Sequence, residues 1–345
     1  MSTQSPSQDA VPKSPADTLA DMIVGYRLSQ LIYVAARLGI ADLLQEGPKS
    51  SEALAIQVGV HPHALYRVLR ALANNGIFAE SADRHFSLTP LAEPLRTEAP
   101  DSVHGFAQMQ NMEPRWRAWG NLLYSVQTGQ SAFEHVHGMN NWDFYASQPD
   151  ILEQFHAGMA ELTQQTAPGI VAAYDFTEAQ TVVDVGGGRG HLMAKILEQN
   201  PKLRGVIVEV PALIEDARRV MEDAGVAERC DYIAGDYLAA LPEGGDVYIL
   251  KSIIHGMTEA NALHLLRNCR RSMAASGRLL VIQVIVPPWD TPARIKMGDI
   301  LHLVEGGGQE RTEDEYRALF DAAGFRLTKV YSTPTTFHIL EGIVT

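Results

Sequence analysis

The sequence predicts an α/β protein with a doubly wound sheet in its second half and an α-helical winged-helix domain before it. From residue 181 onward, short apolar runs of strand length alternate with helical stretches, which is typical of a parallel sheet covered by helices. Before residue 100, a helix, a turn, a second helix and a hairpin follow one another in winged-helix order. The 345 residues provide for about two domains of ordinary size.

The N-terminal elements follow from apolar spacing and capping residues. Apolar residues between Asp17 and Gly39 recur close to the helical period and predict one helix that ends at the glycine. Ser50 caps a short helix up to Val58, and a second helix runs from His61 to Asn75. The segments 77–78 and 85–88 then predict a small hairpin.

The second half supplies the strands of the sheet. The predicted domain boundaries are a disordered tail at 1–16, a winged-helix dimerisation domain at 17–100, a helical connector with the pocket wall at 101–164, and the α/β domain at 165–345. The predicted strands are Thr181–Val185, Gly205–Val210, Cys230–Ile233, Asp246–Leu250, Arg278–Val286 and Phe325–Tyr331.

Composition excludes several classes of protein. The chain carries 28 Lys and Arg against 41 Asp and Glu, a formal net charge of −13, which argues against nonspecific binding of nucleic acid. Only two cysteines are present, so we expect a reducing, cytoplasmic environment and no disulfide scaffold. No apolar run is long enough to cross a bilayer, and the first 16 residues lack the apolar core of a signal peptide.

A glycine loop follows the first predicted strand of the sheet, in Val182-Val183-Asp184-Val185-Gly186-Gly187-Gly188-Arg189-Gly190. A dinucleotide fingerprint requires glycine at position 191, where this chain has histidine. Asp184 before the loop, Glu209 at the end of the second strand and Asp236 after the third place three carboxylates at one sheet edge. They suit a cationic amino-acid end, the ribose hydroxyls and the adenine amino group, so S-adenosylmethionine is the cofactor that fits. The alternative is that Asp184 and Asp236 are helix caps or turn residues.

The chain resembles the plant-type small-molecule O-methyltransferases, a group that includes caffeate, hydroxyindole, phenazine and polyketide O-methyltransferases. The motifs that carry the resemblance extend over nearly the whole chain: the winged-helix part, VDVGGGRG, VEVPALIEDA, AGDY, LKSIIH and GGGQERTEDEY. The resemblance implies a class I Rossmann-like domain that binds S-adenosylmethionine, and a homodimer formed through the N-terminal domain.

The resemblance also implies roles for individual residues. Gly186 and Gly188 match the glycine-loop site, Glu209 the ribose acid, Asp236 and Tyr237 the adenine site, and Lys251 a lysine near the cofactor. His255 matches the general base and Glu310 the carboxylate that orients it, while Phe155 and Met159 match positions that hold an aromatic acceptor. A histidine with a pKa near neutrality independently suits removal of a phenolic proton. Met112 is a further pocket candidate.

Three departures from the family pattern bear on the base. The sequence reads His255-Gly256-Met257 where relatives usually continue His-Asp-Trp. Gln283 stands where relatives often have a second glutamate, so we expect it to contact His255 or substrate as a neutral partner. Glu209 replaces the usual aspartate. The first two changes predict less stabilisation of a charged His255 and a greater dependence on proximity or on an acidic acceptor.

Two other functions remain as alternatives. A winged-helix transcriptional regulator needs a basic face, but residues 17–100 hold 7 Lys and Arg against 9 Asp and Glu. A homologue that binds S-adenosylmethionine and performs C- or N-methylation, or no methylation, is the nearer alternative. No metal site is predicted, because the pairs His61/His63 and His135/His137 lack companion ligands. The expected acceptor is a small hydroxylated aromatic molecule whose identity the sequence does not specify.

Overall fold

The computed structural model describes residues 13–345, in an N-terminal unit up to Ala107 and a C-terminal unit, Gln108–Thr345. Residues 1–12 of the predicted tail lie outside the described residues. Within the rest of that tail, the Ser14 hydroxyl accepts the backbone N–H of Asp17 at 3.1 Å and Pro15 occupies the first turn of a helix. Both are helix-starting signals, so the first helix begins before residue 17.

The N-terminal unit consists of helices around a small antiparallel sheet of strand order β1-β3-β2. Its helix–turn–helix and hairpin have the predicted winged-helix order, and Gly59 ends the first of these two helices with a φ of +70°. The elements are α1 (Pro15–Val24), α2 (Tyr26–Arg37), α3 (Ile40–Leu43), β1 (Lys49–Ser50), α4 (Ser51–Val58), α5 (Pro62–Asn74), β2 (Phe78–Glu80) and β3 (His85–Leu88).

The sequence predicts one long helix from Asp17, and this prediction is wrong in one respect: the structure has two helices there, α1 and α2. At Gly25 the backbone hydrogen bonds between residues four apart give way to bonds between residues three apart. Gly25 N–H donates to Met22 O, and Leu28 N–H donates to Gly25 O. Glycine is the weakest non-proline helix former, which explains the position of the interruption.

The C-terminal unit begins with a set of helices that lead to a long one, α11. Helix α11 has 25 residues and runs without interruption past residue 164, where the sequence predicts a domain boundary. Helix α6 spans the division between the two units. These helices are α6 (His104–Asn111), α7 (Glu113–Trp119), α8 (Leu122–Thr128), α9 (Ala132–His137), α10 (Asn141–Ser147) and α11 (Pro149–Ala173).

A seven-stranded sheet follows, with the order β6-β5-β4-β7-β8-β10-β9. The five strands from β6 to β8 are parallel, whereas β10 is antiparallel to both of its neighbours. The elements are β4 (Thr181–Val185), α12 (His191–Gln199), β5 (Arg204–Glu209), α13 (Pro211–Asp223), β6 (Cys230–Ala234), β7 (Val247–Lys251), α14 (Glu259–Ser272), β8 (Arg278–Gln283), α15 (Ile295–Glu305), α16 (Glu313–Ala323), β9 (Phe325–Ser332) and β10 (His338–Val344).

Two strand predictions need correction. The seventh strand, β10, was not predicted, although it lies between β8 and β9. Strand β8 ends at Gln283 and not at Val286, because the Val286 N–H donates to Arg311 O at 2.9 Å and two prolines follow. This shorter strand leaves the segment after Gln283 in contact with the loop that carries Glu310.

The parallel strands place their carboxyl ends at one edge of the sheet, where ligands bind in folds of this type. Apolar layers cover both faces: α11 and α12 pack on one, α14 and α16 on the other. Cys230 and Cys269 are buried free thiols. Within residues 13–345, none of the helices combines the length and the apolar character that crossing a membrane requires.

Candidate active site

The glycine loop between β4 and α12 has a backbone that only glycine adopts easily. Gly186, Gly188 and Gly190 have φ values of +70°, +58° and +81°. A Cβ at Gly186 would also lie 2.5 Å from Ile253 Cδ1, which is closer than real contacts. The loop is therefore specified both by its dihedral angles and by the close approach of the segment after β7.

Asp184 lies on β4 directly before this loop and is 1% exposed. Its Oδ2 atom is buried and has no hydrogen-bond partner. Burial raises the pKa of Asp184 to about 7, while the charge of Lys251 opposes this shift. A buried carboxylate oxygen without a donor is costly, so this atom is suited to a cationic or N–H group of a ligand.

Glu209 lies at the end of β5 and is held by two backbone donors. Gly188 N–H donates to Oε2 and Val210 N–H donates to Oε1, both at 2.8 Å. Burial raises the pKa of Glu209, and these two hydrogen bonds oppose the rise. The carboxylate is thus fixed against the glycine loop, and its remaining lone pairs are available to a pair of hydroxyls.

Asp236 and Tyr237 follow β6 in a turn. Asp236 is exposed, and its Oδ1 accepts the N–H of Leu238 at 2.8 Å. This contact is the one expected if Asp236 is a turn residue, which is the alternative that the sequence leaves open. Tyr237 is half-buried, and burial raises its pKa to about 12. A Cβ at Gly186 would lie 3.5 Å from the Tyr237 ring, so this ring stands beside the glycine loop.

Lys251 ends β7 on the face covered by α11. Its Nζ donates to Thr163 Oγ1 at 3.1 Å and lies 4.8 Å from the centroid of the Phe337 ring. Burial lowers the pKa of Lys251 to about 8, and the nearby Asp184 opposes that shift. Thr163 was not predicted from the sequence, because a threonine inside a helix carries no spacing signal.

His255 lies in a short 3₁₀ turn, Ile254–Gly256, four residues after Lys251. Its Nδ1 lies 2.8 Å from Glu310 Oε1. Burial lowers the pKa of His255, and the hydrogen bond to Glu310 opposes the shift. Burial raises the pKa of Glu310, but the hydrogen bonds with His255 and His302 outweigh it and lower this pKa to about 2. The pair is therefore an ionised carboxylate beside a neutral imidazole at pH 7.

A second histidine, which the sequence did not predict, shares the same carboxylate oxygen. His302 on α15 places Nε2 3.2 Å from Glu310 Oε1, and its ring centroid lies 4.2 Å from that of His255. Asp299, one turn earlier on α15, accepts the backbone N–H of Glu310 at 2.7 Å. Helix α15 therefore positions Glu310 through both its side chain and its backbone.

A buried ion pair anchors the carboxyl end of α15. Arg115 on α7 donates two hydrogen bonds to the carboxylate of Glu305, and its Nη2 lies 3.0 Å from Oε2. Tyr145 donates to the same carboxylate at 3.3 Å, and Arg115 also donates to Met109 O at 3.0 Å. Arg115 and Glu305 are 2% and 7% exposed, so this network is sealed from water.

The predicted substrate residues have three different surroundings. Phe155 and Met159 are partly buried one turn apart on the α11 face that also carries Thr163, the residue that contacts Lys251. Met112 is fully buried in an apolar cluster with Phe133 and Val304. Gln283 is fully buried, and neither polar atom of its amide has a hydrogen-bond partner, so no hydrogen bond joins it to His255.

These features define a class of protein: a Rossmann-like domain with a glycine loop, acids at successive strand ends and a histidine–carboxylate pair beside them. Family models give the same result. Residues 119–326 match the O-methyltransferase domain and residues 20–98 match the O-methyltransferase dimerisation domain. The chain belongs to this O-methyltransferase family and is an S-adenosylmethionine-dependent methyltransferase.

Curated relatives match over most of their length. A phenazine O-methyltransferase of Lysobacter antibioticus is 40% identical over 98% of both chains. A mitomycin biosynthesis 6-O-methyltransferase of Streptomyces lavendulae is 36% identical over 91% of this chain and 90% of the relative. An 8-amino-8-demethylriboflavin N,N-dimethyltransferase of Streptomyces davaonensis is 30% identical over 95% of both. The relatives thus include both O- and N-methyltransferases.

Solved structures give the same fold. The crystal structure of LaPhzM superposes with a TM-score of 0.93 at 39% identity and covers 96% of this chain and 100% of that one. An O-methyltransferase from neocarzinostatin biosynthesis, in complex with S-adenosylmethionine and 2-hydroxy-5-methyl naphthoic acid, has a TM-score of 0.84 at 26% identity and covers 97% and 100%. The predicted Rossmann-like fold with an N-terminal dimerisation domain is confirmed.

Proposed function

We propose that this chain transfers a methyl group from S-adenosylmethionine to a phenolic hydroxyl of a small aromatic metabolite, with His255 as the general base. The 2.8 Å contact between His255 Nδ1 and Glu310 Oε1 carries the proposal. Because ionised Glu310 accepts a hydrogen bond, His255 Nδ1 holds the proton and Nε2 presents a lone pair. That tautomer is the one a general base requires.

The residues around the glycine loop fit the cofactor. When bound, S-adenosylmethionine supplies a methyl group on a sulfonium, which is already activated and needs no metal. Asp184, whose buried Oδ2 lacks a partner, would hold the cationic amino-acid end. Glu209, fixed by Gly188 and Val210, would accept the ribose hydroxyls, and Tyr237 would lie beside the adenine.

Glu310 then serves the base in two ways. Its hydrogen bond fixes the orientation of the His255 ring, and its negative charge stabilises the imidazolium that forms when Nε2 takes the phenolic proton. General-base catalysis of this kind contributes about 10²- to 10⁴-fold in rate. Gln283 contributes no charge to this step, so the charge on Glu310 is the stabilising one in the described contacts.

The acceptor we propose is flat and largely apolar. Phe155 and Met159 lie on the same face of α11 as Thr163, which contacts Lys251. The phenyl ring of Phe155 and the thioether of Met159 are suited to packing against the flat face of an aromatic acceptor. Met112 is fully buried and supports this wall from behind. The relatives named as a phenazine O-methyltransferase and as a mitomycin biosynthesis 6-O-methyltransferase support the same class of acceptor.

We also infer a homodimer formed through the N-terminal unit. Leu19, Met22, Ile23 and Tyr26 on α1 and the start of α2 are 51–71% exposed. An apolar surface of this kind is typical of a partner interface, and the family model for residues 20–98 is named for dimerisation.

The test compares His255→Gln with His63→Gln in a radiolabelled-methyl assay over a panel of hydroxylated phenazines, naphthoates and hydroxybenzoates. His63 is exposed on α5, so its replacement controls for loss of a histidine elsewhere. We expect His255→Gln to lower kcat by about 10²-fold or more without weakening cofactor binding, and His63→Gln to leave it unchanged. Near-complete turnover by His255→Gln would refute the base.

N-methylation is the second candidate, supported by the N,N-dimethyltransferase relative. An aromatic amine is already a nucleophile and requires less help from a base. NMR of the product identifies the methylated atom. Turnover that is confined to amine acceptors and unaffected by His255→Gln would favour N-methylation.

A further inference from the structure

One group of side chains in the candidate active site has the composition of a metal site. Across residues 13–345, the group with at least three suitably placed ligand side chains is His255, His302 and Glu310, whose ligand atoms all lie within 4.8 Å of one another. We propose that this cluster binds one Zn²⁺ ion through His255 Nδ1, His302 Nε2 and the Glu310 carboxylate, and that the bound ion inhibits the enzyme.

The interatomic distances are close to those of a zinc site. The nitrogens of His255 and His302 lie 2.8 and 3.2 Å from Glu310 Oε1. Tetrahedral zinc with bonds of about 2.0–2.1 Å separates its ligand atoms by roughly 3.3–3.4 Å. The two nitrogen–oxygen distances therefore lie within about 0.6 Å of the tetrahedral value, and the ligand atoms of all three side chains lie within 4.8 Å of one another.

The donor set also matches what zinc prefers. Two imidazoles and one carboxylate form the three-ligand set of zinc sites that leave a fourth position open. Glu310 is 8% exposed, and its Oε2 is buried without a hydrogen-bond partner, so the carboxylate has an unused lone pair beside the two rings. Asp299 accepts the backbone N–H of Glu310 and so holds this proposed zinc ligand in position.

Inhibition follows from the tautomer of His255, a consequence that rests on the proposed function. Zinc bound at Nδ1 requires that nitrogen to be unprotonated, so the neutral ring carries its proton on Nε2. An N–H then faces the position of the acceptor where a lone pair is needed, and the base is removed. Zinc also takes the negative charge of Glu310 that would otherwise stabilise the imidazolium.

Binding is measured on the full chain with Zn²⁺ alone by equilibrium dialysis and with Co²⁺ as a spectroscopic probe. We expect one saturable equivalent and the visible absorption of low-coordinate Co²⁺. His302→Gln keeps a hydrogen-bond donor near Glu310 and His302→Met does not, and both should weaken binding at least about tenfold. His63→Gln should not. Circular dichroism and S-adenosylmethionine affinity verify that each variant is folded.

Absence of saturable binding by the wild-type chain would overturn the proposal, as would unchanged affinity in a folded His302 variant. In turnover assays, Zn²⁺ should inhibit reversibly, with relief by a chelator, and the inhibiting concentration should rise at least about tenfold in His302→Gln, in line with the lost affinity. Binding without inhibition would overturn the inhibitory role. If the chain binds zinc but methylates none of the acceptors, the result contradicts the proposed function and supports the zinc site.

Discussion

The carboxylate of Glu209 accepts the backbone N–H of Gly188 at 2.8 Å, so the acid that ends β5 and the glycine loop after β4 hold each other in place. The contact depends on both residues. Gly188 presents its N–H because its φ is +58°, and the Glu209 carboxylate reaches that N–H because β5 lies parallel to β4. This edge of the sheet, where we propose that the cofactor binds, is thus organised before a ligand arrives.

Glu209→Gln tests this relationship. The amide keeps the shape of the side chain, but it loses the charge and replaces one acceptor oxygen with a donor. Hydrogen bonds to charged groups contribute about 1.5–3 kcal/mol, so we expect S-adenosylmethionine to bind about 10- to 100-fold more weakly by calorimetry. Glu215→Gln, on the exposed surface of α13, is the matched control. Equal affinity in the two variants would contradict a role for Glu209 in binding.

Asp184→Asn should make stability less dependent on pH. The folded state keeps Asp184 protonated up to about pH 7, whereas its ordinary pKa is 3.8. The folded state therefore holds the additional proton between these values, and the free energy of unfolding decreases as pH rises through them, by about 4 kcal/mol in total. Without cofactor, the variant should match the wild type near pH 4 and exceed its stability at pH 8.

Urea denaturation followed by tryptophan fluorescence provides the measurement, because all four tryptophans lie in the C-terminal unit. Asp223→Asn, at an exposed position on α13, is the control and should show the wild-type pH dependence. The same Asp184→Asn chain should bind S-adenosylmethionine more weakly. A variant that was less stable than the wild type at pH 8 would rule out an uncompensated charge at Asp184.

The sequence predicted the residues whose position follows from strand ends. Asp184 and Glu209 lie at or near strand ends, which parallel strands bring to one edge, whereas Lys251 was assigned only through the family resemblance. His302 and Thr163 were missed for the opposite reason. They lie inside helices and reach the site through tertiary packing, which no local spacing reveals.

The missed strand β10 shows a second limit. Its residues His338–Val344 include Glu341 and Gly342, which interrupt the apolar run expected of a central strand. Glu341 is tolerated there because Tyr174, Thr328 and Arg278 donate hydrogen bonds to its carboxylate. These partners are distant in the sequence, so the compensation is invisible until the chain is folded.

The N-terminal unit should lose its self-association when its apolar face is charged. Met22 and Ile23 are 71% and 66% exposed on α1, so replacing both with glutamate should not disturb the core of the unit. We expect light scattering after size exclusion to report a dimer for the wild type and a monomer for Met22→Glu/Ile23→Glu. Ile56→Glu, 80% exposed on α4, serves as the control, and dissociation by this change alone would place the interface elsewhere.

The ion pair between Arg115 and Glu305 should show strong coupling. Arg115→Met leaves the Glu305 carboxylate buried without its cation, which costs about 3–5 kcal/mol of stability. The double variant Arg115→Met/Glu305→Met removes both charges, so it should be more stable than Arg115→Met alone, as read by tryptophan fluorescence in urea. Losses that simply add would mean that the pair is not coupled.

The same pair also bears on the site, because α15 carries Glu305 at its end, His302 one turn before it and Asp299 about two turns before it. If the ion pair positions α15, Arg115→Met should lower kcat even in conditions where the chain is fully folded, while S-adenosylmethionine affinity remains unchanged. The double variant, in which apolar side chains fill the same space, should recover part of that kcat. An equal loss of kcat in the single and double variants would show that α15 depends on the charges themselves and not on the unpaired carboxylate.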